Sequence, residues 1–319
     1  MTTSKILKWC QRGVYLSIAL FASTAFAAGN VSDASKTITF GMYPTAGTAP
    51  FTLAQDAGYF KAEGLTVNFT NVVTTPDGIA NLMAGKQQIA ILNIGALASA
   101  LQQGLPLRVV SPAYYWNPKG GQGLFTKKGS NITRPRDLEG KTVGVNQLKG
   151  NFDAMVITAV RNDGGDPSKV RFRPIPLPNI PAAIAGGTIG AGLVAEPYFT
   201  QHKAELAPVI PDPTSVFANR PAIAGYAVTT QKYATEHPDN VKAFQAAYAK
   251  AVKALASNDQ LARQTVAKTT SINADDVRSM ILPLWSEDTG IASTKEQMEL
   301  LVKVGYITKV PDLTGFFGR

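Results

Sequence analysis

From Thr37 onward the chain alternates short apolar runs with helical stretches that stop at glycine, a pattern that few architectures accept. Residues 38–41 are an apolar run, and 42–50 carry loop chemistry. Pro50 then opens a helical stretch closed by Gly58, the usual asymmetry of proline inside the start and glycine past the end. Leu65, Val67 and Phe69 alternate with Thr66, Asn68 and Thr70, the period of a half-buried strand. Pro76 and Asp77 begin another short helix that Gly85 ends; residues 89–94 read as a buried strand, a helix follows to Gln103, and 107–110 reads as the next strand. This alternation predicts a mostly parallel sheet covered by helices on both faces.

The alternation breaks at residues 116–123, where Asn117-Pro118-Lys119-Gly120-Gly121-Gln122-Gly123 has no apolar period, so the chain is expected to cross there into a second unit. A second series follows, with strands at 141–145, 170–172 and 191–195. A helix carries Phe152, Met155, Val156, Ala159 and Val160 on one face before Gly164-Gly165, and a short one occupies 181–185. Pro208, Pro211, Pro213 and Pro221 mark an irregular return, and 226–229 reads as the strand that completes it. Everything after Pro238 reads as helical: Val241, Phe244, Tyr248, Ala251, Val252 and Leu255 form one stripe, and further helices start at Asp259, Ala274 and Thr294. Two crossings in opposite directions assign residues 36–119 with 226–319 to one lobe and 120–225 to the other, with hinges at 120–123 and 221–225. Length agrees, since 319 residues at about 150 per domain suggest two.

Ahead of this lies a leader. Lys5, Lys8 and Arg12 precede an apolar run over 14–26 that closes on Ala25-Phe26-Ala27, so residues 1–27 read as a signal peptide cleaved after Ala27 and the remainder as an exported, periplasmic chain. The leader holds Cys10, the only cysteine, which leaves no disulfide, thiol or Cys-based metal chemistry beyond it. The formal net charge of +9 falls by those three leader cations to an excess of six. The remaining cations are scattered, as at Lys127-Lys128, Arg134 and Arg136, and Arg171 and Arg173, without aromatic interleaving, so nucleic acid is not an expected partner.

His202 and His237 are the only histidines and are too far apart in sequence for a ligand pair, so no metal or other cofactor is expected. No Gly-x-Ser-x-Gly elbow or phosphate-cradling lysine loop occurs. Gly190-Ala191-Gly192-Leu193-Val194-Ala195 fits a dinucleotide fingerprint in letters, but Glu196-Pro197 follows where a helix should open. What remains is a set of loops at the C-terminal ends of strands, where open α/β sheets hold ligands. In these loops, at 42–48, 93–96, 146–151 and 196–198, and among the aromatic residues near the first crossing, the candidate ligand contacts are Tyr43, Pro44, Thr45, Asn93, Ile94, Gly95 and Tyr115 on one side. Gln147, Lys149, Gly150, Asn151, Glu196 and Tyr198 are the candidates on the other. Lys149-Gly150-Asn151 places a cation, a flexible residue and a capping side chain at one helix start.

Four segments, in order, are similar to the substrate-binding proteins of nitrate, sulfonate and taurine type ABC transporters. They are Pro50-Phe51-Thr52-Leu53-Ala54-Gln55-Asp56-Ala57-Gly58-Tyr59-Phe60-Lys61-Ala62-Glu63-Gly64-Leu65, Asp137-Leu138-Glu139-Gly140-Lys141-Thr142-Val143-Gly144-Val145, Ala182-Ala183-Ile184-Ala185-Gly186-Gly187 with Glu196-Pro197-Tyr198, and the stretch 233–246 with His237-Pro238-Asp239-Asn240-Val241. Gln88 and Gly190 stand where such proteins often carry Asp. The resemblance implies a two-lobed periplasmic-binding-protein type 2 fold, each lobe a mostly parallel sheet flanked by helices. It implies a monomeric, non-enzymatic receptor that delivers a small organic anion of the alkyl or aryl sulfonate, taurine or nitrate class to an ABC permease and, through it, to the ATPase subunit. The alternatives are a pyrimidine-like thiamine precursor as the solute, or a secreted enzyme on the same fold. The family also resembles fungal pyrimidine-synthesis enzymes with cysteine-rich iron sites, which a chain without cysteine beyond the leader does not match.

Overall fold

The computed structural model describes residues 34–72 and 74–317; the leader read at 1–27 and its cleavage point lie outside them. The strands are β1 (Thr37–Met42), β2 (Thr66–Asn71), β3 (Ile89–Asn93), β4 (Leu107–Tyr115), β5 (Gln122–Lys127), β6 (Thr142–Val145), β7 (Arg171–Pro174), β8 (Ala191–Ala195), β9 (Leu206–Ile210) and β10 (Ile223–Thr230). They form two five-stranded sheets, ordered β2-β1-β3-β10-β4 and β7-β6-β8-β5-β9. In the first, β1 runs parallel to β2 and β3, while β10 is antiparallel to both β3 and β4. The second repeats the plan, with β6 parallel to β7 and β8 and β5 antiparallel to β8 and β9. Both sheets are therefore mixed.

The helices are α1 (Ala49–Asp56), α2 (Tyr59–Ala62), α3 (Thr75–Met83), α4 (Ile94–Gln102), α5 (Asn151–Asn162), α6 (Ile180–Ala185), α7 (Tyr198–His202), α8 (Gln231–Glu236), α9 (Pro238–Ser257), α10 (Asp259–Thr270), α11 (Ala274–Ser279) and α12 (Ile291–Lys303). Their starts follow from capping chemistry. The Thr74 hydroxyl accepts from the Asp77 N–H while the Asp77 carboxylate accepts from the Thr74 N–H, which satisfies orphan donors at the head of α3. Asn93 caps α4 by accepting from Ala96 N–H at 2.9 Å.

The apolar stripe of α9 settles on one face of the first sheet. There Phe40, Phe51, Phe60 and Phe244 are fully buried, with ring centroids 4.9 Å apart for Phe40–Phe51, 5.4 Å for Phe40–Phe244 and 5.0 Å for Phe60–Phe244. A second core begins on the other face, with Leu92 and Leu97, and continues through Trp116 and Phe152 to Val143, Val145 and Leu193 of the second sheet and Ile184 of α6. Trp116 stacks on Phe152 at 6.2 Å, joining the end of β4 to the first turn of α5.

Three readings of the sequence need correction. The strand expected at 107–110 continues to Tyr115, because its pairing with β10 goes on past Pro112 through register shifts that the sequence does not announce. Residues 206–210, placed in an irregular return, form β9; Pro208 is tolerated there because β9 is an edge strand. The chain after Pro238 is not helical throughout. Residues 280–290 run as an extended strap, with Tyr115 N–H donating to Leu284 O at 2.7 Å and Leu284 N–H returning to Tyr115 O at 3.1 Å. Pro283, Gly290 and the short polar side chains Ser286, Asp288 and Thr289 keep this stretch from forming a helix.

Candidate functional site

The two sheets turn the C-terminal ends of β1 and β8 toward each other, and a cleft lies between these ends. The loop after β1 supplies Thr45, Ala46 and Gly47, and the end of β4 supplies Tyr114. The crossing supplies Asn117, Gly120 and Gly121, β5 opens with Gln122, and the far wall is Leu177, Ala195 and Glu196. Ile281 and Pro283 of the strap close it. Gly47 is required beneath the Tyr114 ring, because a Cβ there would occupy the ring's own space.

Glu196 is the only charged side chain among these lining residues. Its carboxylate is held at the head of α7, where Oε2 accepts from Thr200 N–H at 3.0 Å and Oε1 from the Thr200 hydroxyl at 2.8 Å. Burial raises its pKa to about 7, and the Thr200 hydrogen bonds pull it down only in part. Burial also pushes the Tyr114 hydroxyl up to about 12, so it remains a neutral donor. Among the described residues the side chains of Thr45, Tyr114 and Gln122 make no hydrogen bond, which leaves a hydroxyl, a phenol and an amide for a solute. In a largely apolar cleft, such sparse and fixed polar groups set orientation.

Beside the cleft a polar chain links the two sides. Tyr43 OH and Thr75 Oγ1 lie 2.7 Å apart, Asn93 Nδ2 donates to Thr75 Oγ1 at 3.3 Å and to Gln147 Oε1 at 3.0 Å, and so the loops after β3 and β6 meet directly. At Gly95 the heads of α4 and α5 touch: a Cβ there would lie 2.7 Å from Asn151 N and from Gly150 Cα.

Of the residues singled out in the sequence, Thr45 and Glu196 line the cleft, and Tyr43, Asn93, Gly95, Gln147, Gly150 and Asn151 form the contact beside it. Pro44 and Lys149 are exposed and Tyr198 is half-buried, none of them lining the cleft, while Ile94 is fully buried in the core. Tyr115 is turned the other way: neighbouring residues of a strand face opposite sides, and its hydroxyl donates to Asp288 O while Tyr114 takes the cleft side. Asn151 does not cap α5. Gly150 is the N-cap residue, the left-handed position is Lys149 (φ 55°), and Asp153 reaches back to accept from Lys149 N–H at 2.7 Å. Asn151 instead donates to Gln297 at 3.3 Å.

Residues 117, 120–122, 177, 281 and 283 were missed. The glycine-rich crossing was a signal for the first four; Ile281 and Pro283 gave none, since the strap reaches the cleft only through tertiary pairing with Tyr115. Among the described residues no cluster of three His, Cys, Asp or Glu could hold a metal ion, and no helix is long and apolar enough to cross a membrane.

Two mixed α/β sheets facing each other across a cleft at their strand ends are the fold of periplasmic ABC-type solute-binding proteins. It is shared with the aliphatic sulphonate-binding protein of Escherichia coli (15% identity, 87% of this chain and 96% of that one, TM-score 0.68). The ligand-binding component of an ABC-type import system from Staphylococcus aureus, solved with zinc bound, is 16% identical over 88% of this chain and 96% of that one, at a TM-score of 0.75. The periplasmic nitrate-binding protein of Synechocystis is 14% identical over 85% and 82%, at 0.70. The chain belongs to the NMT1/THI5-like family, whose model matches residues 45–262. No curated protein matches it in sequence.

Proposed function

We propose that this protein is the extracytoplasmic solute receptor of an ABC importer, binding a small molecule between lobes 36–119 with 226–319 and 120–225 and presenting the closed form to a permease. Closure pivots at residues 120–123 and 221–225. The receptor acts as a monomer and leaves its solute chemically unchanged. The ligand needs only to bind the closed form better than the open one.

The observation that bears on the solute class is the cleft's charge: a carboxylate and no cation. The helix heads expected to receive an anion are already served from within, α4 by Asn93, the turn entering α5 by Asp153 and α7 by Glu196. An uncharged or basic, flat solute bearing N–H groups fits this lining, with its N–H groups on Glu196 and its ring beside Tyr114. The pyrimidine-like alternative is of this kind. A second reading keeps the organic anion, favoured by the sulphonate- and nitrate-binding proteins that share the fold; Glu196 in its protonated form would then donate to the anion.

The two readings have opposite pH signatures, followed by Trp116 fluorescence and thermal melting. With Glu196 at about 7, an aminopyrimidine that requires the carboxylate should bind roughly tenfold more tightly at pH 8 than at pH 6, and an alkanesulfonate that requires the acid should weaken by a similar factor. Glu196→Gln should abolish either trend. A saturable signal from neither probe would refute both solute classes, and loss of the probe as substrate would refute the receptor reading.

A further inference from the structure

The second sheet has two ends, and only one faces the cleft. At the other lie the starts of β6, β7 and β8 and the finish of antiparallel β5, where an open groove collects Lys127, Lys128, Lys141 and Arg171. No acidic side chain lines it, and Glu205 enters only an adjoining depression shared with Lys127 and Lys128.

Some other cations in the same half of the chain are paired. Arg134 pairs with Asp163, Lys169 with Glu139 and Arg220 with Asp212, whereas among the described residues none of the four groove cations has a carboxylate partner. Neutral carbonyls hold two of them instead: Arg171 Nη2 donates to Gly140 O at 2.8 Å, and Lys127 Nζ to Ala185 O at 3.3 Å. The Lys141 stem is laid along Gly190, where a Cβ would come within 3.1 Å of it. The floor is fixed by buried Thr126, whose hydroxyl donates to Gly190 O at 2.7 Å. Four positive charges thus converge on one concavity without internal neutralisation. Uncompensated charge of one sign in a groove focuses the field there and raises the local concentration of counter-ions.

We propose that this groove binds phosphate-class anions carrying more than one charge. Such groups match it because their several oxygens and charges can engage more than one of these cations, which a lone carboxylate does less well. The chemistry is common to a phospholipid headgroup and to a soluble oligophosphate. The site is independent of the solute cleft and does not rest on the function proposed above.

The test uses the full chain at low ionic strength with two probes. One is inorganic tripolyphosphate, followed by calorimetry; the other is vesicles of phosphatidylglycerol in phosphatidylcholine, followed by co-sedimentation against phosphatidylcholine alone. The triple variant Lys128→Gln, Lys141→Gln, Arg171→Gln should weaken binding roughly a hundredfold, at about fivefold per cation. Lys232→Gln with Lys242→Gln, exposed cations elsewhere, should leave it unchanged. Tripolyphosphate binding alone would identify a soluble anion as the source, and vesicle binding a headgroup surface; either, if lost in the triple variant, supports the site. Binding of neither probe by the unaltered chain overturns the proposal, as does an equal loss in the triple and control variants. Should the triple variant melt early, Lys128→Gln alone, which removes no side-chain contact, should still cost about fivefold, and no loss there is equally fatal.

Discussion

The two sheets share one wiring and differ in what fills them. Each sets one antiparallel strand, β10 or β5, between an edge strand and three others that all run the same way, yet the first is packed with Phe40, Phe51, Phe60, Phe244 and Tyr248 and the second with Val143, Val145, Ile180, Ile184 and Leu193. Rings are sparser in the second, as Phe125 on Phe199 and Phe152 on Trp116. The cleft chemistry is unequal too: the first half offers Thr45 and Tyr114, which stay neutral, and the carboxylate comes from the second. Strand order therefore fixes where a ligand can sit, while core composition and cleft charge vary independently of it.

The largest expected effect is in the aromatic core. Phe244→Ala empties a site touched by three rings and should cost about 3–5 kcal/mol in urea unfolding, whereas Ile184→Val in the aliphatic core should cost about 1 kcal/mol. Equal losses would mean that the two cores are equivalent after all.

Next comes the pH response, which should belong to the second half. Burial raises Glu196 from 4.5 to about 7, so the folded state holds its proton more tightly than the unfolded one. The stability from that proton is complete below pH 4.5 and lost as pH rises to about 7, a fall of at most about 3 kcal/mol. Asp153, raised to about 6 mainly by burial, adds a shallower fall ending near that pH. Glu196→Gln should flatten the denaturation midpoint between pH 4.5 and 7; an unchanged slope would remove Glu196 as its source.

The smallest effect on folding tests the contact between the halves. Gly95→Ala drives a methyl group into the backbone at Gly150 and Asn151, and relief by parting should leave the melting temperature nearly unchanged. The penalty of about 1–2 kcal/mol should fall on closure instead, seen as roughly tenfold weaker solute binding and a larger radius of gyration in solution scattering. A collapsed melting temperature with unaltered scattering would show that the two halves do not part there.

Most of the parallel wiring was legible because its signals are local. Pro50 and Gly58 bracket α1, Thr74 and Asp77 start α3, and the α9 stripe keeps its spacing through Leu255. The antiparallel strands were poorly legible because their cause is remote: β9 carries Pro208, and the pairing of β4 past Pro112 depends on β10, far along the chain. The cleft was half legible for the same reason. Thr45 and Glu196 follow strands that can be read, but the choice of Tyr114 over Tyr115 is a matter of register, and the strap with Ile281 and Pro283 is set by one bridge to Tyr115.

The position of β10 has a consequence for how the chain is made. It lies between β3 and β4, so the first sheet, although its other strands emerge early, has a gap in its middle until the whole second sheet has been synthesised. The aromatic core waits longer still, since Phe244 and Tyr248 arrive later on α9. A nascent chain of this design exposes unfinished strand edges for most of its synthesis and acquires its native state only near the end, which makes it slow to fold on the ribosome and dependent on whatever holds it extended until then.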